Sequence, residues 1–154
     1  MIDSPQVTRT EAQAAALIRI TIPRAEIREV MGPARAELLA ALRAQRIAHA
    51  GPIFSHHLRM DRDTFDFELG VAVASPVAPA GRVQPGEIPS EEVALTVYQG
   101  PYEGLGNAWG EFERWIAKSG YMPRRDLWEF YVAGPERSPD PAVWRTELIR
   151  PLSL

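Results

Sequence analysis

Apolar residues along this chain keep switching between two spacings. Ile27, Val30, Met31, Ala34, Leu38 and Leu42 recur at the spacing of one helix face. Leu105, Trp109, Phe112 and Ile116 do the same further on. Between and around them lie short apolar and aromatic runs that predict strands at about 14–22, 53–60, 65–74, 92–99, 127–132 and 143–150. Pro and Gly punctuate the pattern. Pro23 suits a first helical turn, Gly51-Pro52 stops the first helix, and Asp61-Arg62-Asp63 makes a turn. Gly100-Pro101 opens the second helix, which runs to about Lys118 and ends at Gly120; a polar loop through Gly134-Pro135 follows the strand at 127–132. Ser75 to Ser90 is rich in Pro, Gly and Ala with little periodicity, and reads as a linker (76–90).

The two halves of this pattern are copies of one plan. Ala16-Leu17-Ile18-Arg19-Ile20-Thr21-Ile22-Pro23 aligns with Ala94-Leu95-Thr96-Val97-Tyr98-Gln99-Gly100-Pro101, 78 residues on. Ile53-Phe54-Ser55-His56-His57 aligns with Leu127-Trp128-Glu129-Phe130-Tyr131, 74 on, and Phe67-Glu68-Leu69 with Thr146-Glu147-Leu148, 79 on. Near-constant offsets predict a duplicated β-α-β-β unit, at about 14–75 and 91–151, within one domain spanning 1–154. Gly32-Pro33 resembles Gly100-Pro101, but its offset of 68 disagrees with the other three, so it reads as a break or kink inside the first helix. The expected fold is α+β. Two units related by a pseudo-two-fold axis pool their strands into curved antiparallel sheet, with two main helices and a central ligand cleft at the seam.

Composition narrows the function. The chain has 154 residues, 45% hydrophobic and 24% charged, with a formal net charge of −3. Its 17 basic residues are scattered, so nothing predicts a nucleic-acid surface. With no cysteine, disulfides, thiolate metal sites and a thiol nucleophile are excluded. The polar start and the lack of any long apolar run predict neither a signal peptide nor a membrane span, and hence a cytoplasmic location.

The residue that stands out chemically is Glu129, set between Trp128 and Phe130 in an aromatic strand. Burying a lone carboxylate is costly, so it is paired, hydrogen-bonded or proton-loaded. Either it faces solvent or an Arg such as Arg19 or Arg145, or it serves a pocket that meets something cationic or polar. Leu127 and Tyr131 share its strand face. Tyr131, Trp109 and Trp144 fit either core or aromatic pocket walls; Trp115 and Trp128 read as core. His56-His57 point to opposite faces and do not make a metal site, and His49 belongs at a helix end. Ser55 and Ser119 lack a nucleophile-elbow context, and Gly104-x-Gly106 lacks the context of a phosphate loop. Glu91-Glu92, Arg124-Arg125-Asp126 and Glu111 to Glu113 read as solvated surface. No metal or cofactor is expected.

The ordered series of motifs resembles the GyrI-like small-molecule-binding domain. It comprises Gly51-Pro52-Ile53-Phe54, Phe65-Asp66-Phe67-Glu68-Leu69-Gly70-Val71, Gly81-Arg82-Val83, Gly86-Glu87-Ile88-Pro89 and Gly100-Pro101-Tyr102. Leu105, Trp109, Trp115, Trp128-Glu129-Phe130-Tyr131 and Gly134-Pro135 complete it. That family, the effector-binding part of several MerR- and AraC-type regulators and also found alone, has the duplicated β-α-β-β fold. The resemblance implies that Glu129 sits at a pocket floor that meets cationic lipophilic ligands. It also implies that His57 stands where an aromatic Tyr is common, as a titratable group tuning the rim. Four functions follow as expectations. The first is stand-alone binding of small amphipathic, aromatic or cationic molecules, for sequestration or effector sensing, with Glu129, Tyr131, Trp109, Trp144 and His57 at the ligand. The second is a role in transcription through a separate regulator protein, without direct DNA binding. The third is inhibition of a protein partner such as a gyrase. The fourth is hydrolysis of reactive cyclopropane-containing compounds, with Glu129 and Tyr131 catalytic.

Overall fold

The computed structural model describes residues 2–60 and 62–153; Asp61, in the turn expected at 61–63, lies outside them. In chain order the elements are β1 (Gln6–Arg9), β2 (Gln13–Pro23), α1 (Ile27–Ala44), β3 (His49–Met60), β4 (Thr64–Val73), β5 (Gln84–Ile88) and β6 (Glu92–Gln99). They continue with α2 (Leu105–Lys118), β7 (Met122–Pro123), β8 (Leu127–Ala133) and β9 (Arg145–Ser153). The fold is α+β, and every strand pairing within each half is antiparallel. The chain divides into two compact units. Among the described residues, one covers 11–90 and the other 91–153 together with 2–10. Among the described residues no helix is long and apolar enough to cross a membrane.

In the Glu11–Ser90 unit, β4 lies between β3 and β2, and β5 adds to the outer side of β2. Ala34, Leu38 and Leu42 are the fully buried stripe of α1 and pack with Ile18, Ile20, Phe67, Leu69 and Val71 of the strands. Burying a side chain of this size stabilises by about 1.5–3 kcal/mol. The helix runs without interruption through Gly32 and Pro33. The segment expected to be an unstructured linker carries β5 and buries Val77 and Val83. Pro85 and Gly86 hide the strand from a pattern reading. Proline is tolerated there because β5 pairs on one side only within this unit, with β2.

Two expectations near the end of α1 are corrected. The helix stops at Ala44, well before Gly51-Pro52, and His49 opens β3 rather than capping a helix. The stop is a Schellman turn: the amide of Ile47 donates to the Leu42 carbonyl at 2.9 Å and that of Arg46 to Arg43 at 3.1 Å. Arg46 takes the left-handed conformation, φ 56°, normally left to glycine. Gly51-Pro52 falls in a register shift of β3 between His49 and Ile53.

The other unit repeats the plan. β9 lies between β8 and β6, β1 adds to the outer side of β6, and β7 pairs β9. The N-terminal residues that the sequence pattern left unassigned therefore form an extra strand. Ala108, Trp109, Phe112 and Ile116 are the buried stripe of α2, packed on Ala94, Tyr98, Leu127, Leu148 and Leu152. Both helices are entered alike. Pro23 precedes a 3-10 turn (Arg24–Glu26), and Pro101 precedes another (Tyr102–Gly104). Pro23 itself ends β2 instead of starting a helix. α2 ends on the same Schellman turn, with Gly120 at φ 83° in the left-handed position.

Candidate functional site

β8 carries the candidate site. Strand alternation puts Leu127, Glu129 and Tyr131 on one face, and Leu127 packs in the cluster under α2. Register pairs Glu129 with Leu148 and Tyr131 with Thr146, both buried. The carboxylate of Glu129 is thus delivered into the apolar layer between sheet and helix.

It is held there by two donors. Trp109, one helical stripe position above, donates its indole N–H to Oε2 at 2.8 Å. Tyr131 donates its hydroxyl to Oε1 at 2.8 Å. Among the described residues no cation pairs with Glu129; Arg19, a candidate partner, instead forms a two-pronged ion pair with Asp66 at 2.8 and 2.9 Å. Burial pushes the Glu129 carboxyl above its ordinary range, and the hydrogen bonds from Trp109 and Tyr131 oppose that push. The side chain is deeply enclosed by protein atoms yet keeps some exposed surface.

Aromatic rings continue outward from the carboxylate. Tyr131 meets Tyr102 edge-on, with centroids 5.9 Å apart, and Tyr102 packs on Trp144 at 4.9 Å. Trp109 leans on Phe112 at 5.7 Å. Local structure fixes these rings. Tyr98 donates its hydroxyl to the Pro101 carbonyl at 2.7 Å, which sets the turn that aims Tyr102. Gly104 leaves room for that bond, since a Cβ there would collide with the Tyr98 hydroxyl. Trp144 is fixed by its indole N–H on the Ser138 carbonyl at 2.9 Å, and its own carbonyl accepts from Gly100 at 2.9 Å. Gly134 lies against Tyr102: a Cβ at that position would stand 2.5 Å from the Tyr102 hydroxyl.

Four of the five expected site residues, Glu129, Tyr131, Trp109 and Trp144, therefore belong to one connected cluster in this unit. Tyr102, which links Trp144 to Tyr131, was not among them. Its signal lay in its spacing: Tyr102 and Trp109 are two helical turns apart, so one side of the helix entry presents both rings. His57 is different. It lies in the other unit, is only 7% exposed, and stacks on Phe67 at 5.1 Å. Burial, then the nearby charges of His56 and Arg24, pushes its imidazole down to about 4. Trp128 is buried, and Trp115 packs against the core under α2, as expected.

Both units follow the same strand–helix–strand–strand plan. Residues 4–153 match the model of the GyrI-like small molecule binding domain, and the chain belongs to that family. No curated protein sequence matches it. Among solved structures, the C-terminal domain of EcmrR is similar at a TM-score of 0.81 and 20% identity, over 97% of each chain. EcmrR in its DNA complex matches at 0.85 and 20% identity; there 97% of this chain covers only 57% of the larger protein. SAV2435 bound to tetraphenylphosphonium matches at 0.72 and 12% identity, over 98% of this chain and 94% of that one. A protein of Listeria innocua described as a hydrolase matches at 0.66 and 13% identity, over 97% and 91%. At these identities the likenesses establish the fold.

Proposed function

We propose that this protein binds lipophilic cations and related amphipathic aromatic molecules, with Glu129 as the charge partner and Trp109, Tyr131, Tyr102 and Trp144 as the surrounding rings. The observation that carries this reading is the carboxylate itself. It is enclosed, held by two neutral donors, and has no cationic partner among the described residues. A buried carboxylate of this kind is costly for the empty protein and becomes favourable when a cation arrives. Rings next to it add cation–π attraction to a delocalised positive charge. The tetraphenylphosphonium bound to SAV2435, a protein of the same fold, supports the choice of probe. Capture of such compounds serves either their sequestration or the sensing of an effector.

The test is a titration with tetraphenylphosphonium followed by tryptophan fluorescence. Glu129→Gln keeps the hydrogen bonds: the Gln carbonyl accepts from Trp109, and its amide donates to a turned Tyr131 hydroxyl. Affinity for the cation is expected to fall by roughly tenfold or more, while the neutral triphenylphosphine oxide binds as before. Equal cation affinity in both proteins would remove Glu129 from this role.

A second reading uses the same residues. A carboxyl raised by burial beside a tyrosine hydroxyl is suited to general base catalysis, taking a proton from water as it adds to an electrophile held against the rings. Here Glu129→Gln would keep substrate affinity and lose turnover. Exposure of the protein to cyclopropane-bearing aromatic electrophiles, with ring-opened product measured against buffer, separates the two readings.

A further inference from the structure

The duplication places a second cluster in the Glu11–Ser90 unit, at the positions that correspond to the candidate site. Ser55 and His57 on β3 correspond to Glu129 and Tyr131 on β8. Arg24 at the entry to α1 corresponds to Tyr102 at the entry to α2. Met31 stands where α2 has Trp109, and Phe65, two residues before the partner of His57, stands where β9 is preceded by Trp144. The connectivity is conserved in kind. Tyr131 bonds Glu129, and the Ser55 hydroxyl and His57 Nε2 are likewise 3.2 Å apart. Tyr131, Tyr102 and Trp144 touch in series. His57, Phe65 and Arg24 also touch, though here the counterpart of Trp144 is the middle group: His57 is edge-on to Phe65 at 5.4 Å and the Arg24 guanidinium lies 4.5 Å over the Phe65 ring.

The chemistry is reversed. The carboxylate is replaced by a hydroxyl, and a guanidinium and an imidazole have entered. His57 is more than nine-tenths buried, and its Nδ1 has no hydrogen-bond partner. A buried ring nitrogen left open is costly unless something meets it. We infer that this cluster is a second ligand-recognition site, and that it takes an aromatic carboxylate: the ligand ring against Phe65, its carboxylate between the Arg24 guanidinium and His57 Nδ1–H. Such an anion selects the tautomer in which Nδ1 carries the hydrogen and Nε2 accepts from Ser55. Arginine suits the role because its planar fork matches a carboxylate and its face packs on a ring. Arg24 and His57 both flank Phe65, and the charge of Arg24 acts on the His57 ring. The inference stands on the duplicated geometry and does not depend on the role given to Glu129.

The probe is 2-naphthoate, titrated by calorimetry, with the His57 Nδ1 signal followed by nitrogen NMR. Saturable binding is expected in the wild type, with a shift of that signal. Arg24 is exposed, and Arg24→Gln should weaken binding by roughly tenfold or more. His57→Phe, placed among Phe65 and Phe67, keeps the packing and should weaken it comparably, whereas Glu129→Gln should not. An unchanged circular-dichroism spectrum and urea midpoint in Arg24→Gln show that the variant is folded. Naphthoate affinity equal to wild type in both Arg24→Gln and His57→Phe would overturn the inference. So would a wild type with no saturable binding and no movement of the His57 signal.

Discussion

Glu129 and His57 are two buried titratable side chains whose surroundings push them in opposite directions on the pH scale, each towards its neutral form. Glu129 stood out in the sequence because a carboxylate inside an aromatic strand has few inexpensive explanations. What the sequence could not show was which explanation held. The two hydrogen bonds come from Trp109, on another element, and from Tyr131 through a side-chain orientation that strand parity allows but does not require. Tyr102 went unassigned because its role depends on ring contacts with two residues distant in sequence. For His57 the linkage is testable. Its folded value of about 4 lies below the ordinary 6.5, so between these values the unfolded chain binds a proton that the folded one does not. Stability from this group is fully present above about 6.5 and is lost as pH falls towards about 4, by on the order of 3 kcal/mol. Urea denaturation across that window should show this component in wild type and not in His57→Phe; identical pH profiles would contradict it.

Elements were legible where apolar spacing was regular and punctuated by glycine or proline, and were misplaced where the chain used other residues for the same geometry. Both helices end in a Schellman turn. Gly120 announces the end of α2, whereas Arg46 does the same at the end of α1 with nothing in its residue type to mark it. That is why the stop was expected at Gly51-Pro52 and His49 was assigned to a helix end. Strands β1 and β5 were missed for a related reason: β1 is short, and β5 contains Pro85 and Gly86, which resemble a loop. The Arg46 position gives a prediction. The residue is exposed, and the left-handed conformation costs a non-glycine residue roughly 1–2 kcal/mol. Part of that is offset by the greater freedom of glycine in the unfolded chain. Arg46→Gly should therefore stabilise the protein by about 0.5–1 kcal/mol in denaturant titration; a loss of stability would refute this account of the turn.

For the molecule as a whole, duplication was the most legible property. The offsets read from weak sequence matches reappear in the structure as matching strand orders, matching 3-10 entries into both helices and matching helix ends. The membership in the GyrI-like family rests on the whole chain rather than on any one motif. What duplication does not transmit is chemistry: the same positions hold Glu129 with Tyr131 in one unit and Ser55 with His57 in the other. The central claim is that Glu129 receives a cation, and its raised carboxyl gives the claim a signature that no packing role would share. Calorimetry of tetraphenylphosphonium binding, in paired buffers of different ionisation enthalpy from about pH 5 to about pH 8, measures the protons exchanged on binding. Affinity should rise with pH through the raised Glu129 value and then level off. On the acid side, binding should release a proton. Glu129→Gln should bind weakly at every pH and release none. Affinity that is independent of pH, and the same in wild type and Glu129→Gln, would contradict the account.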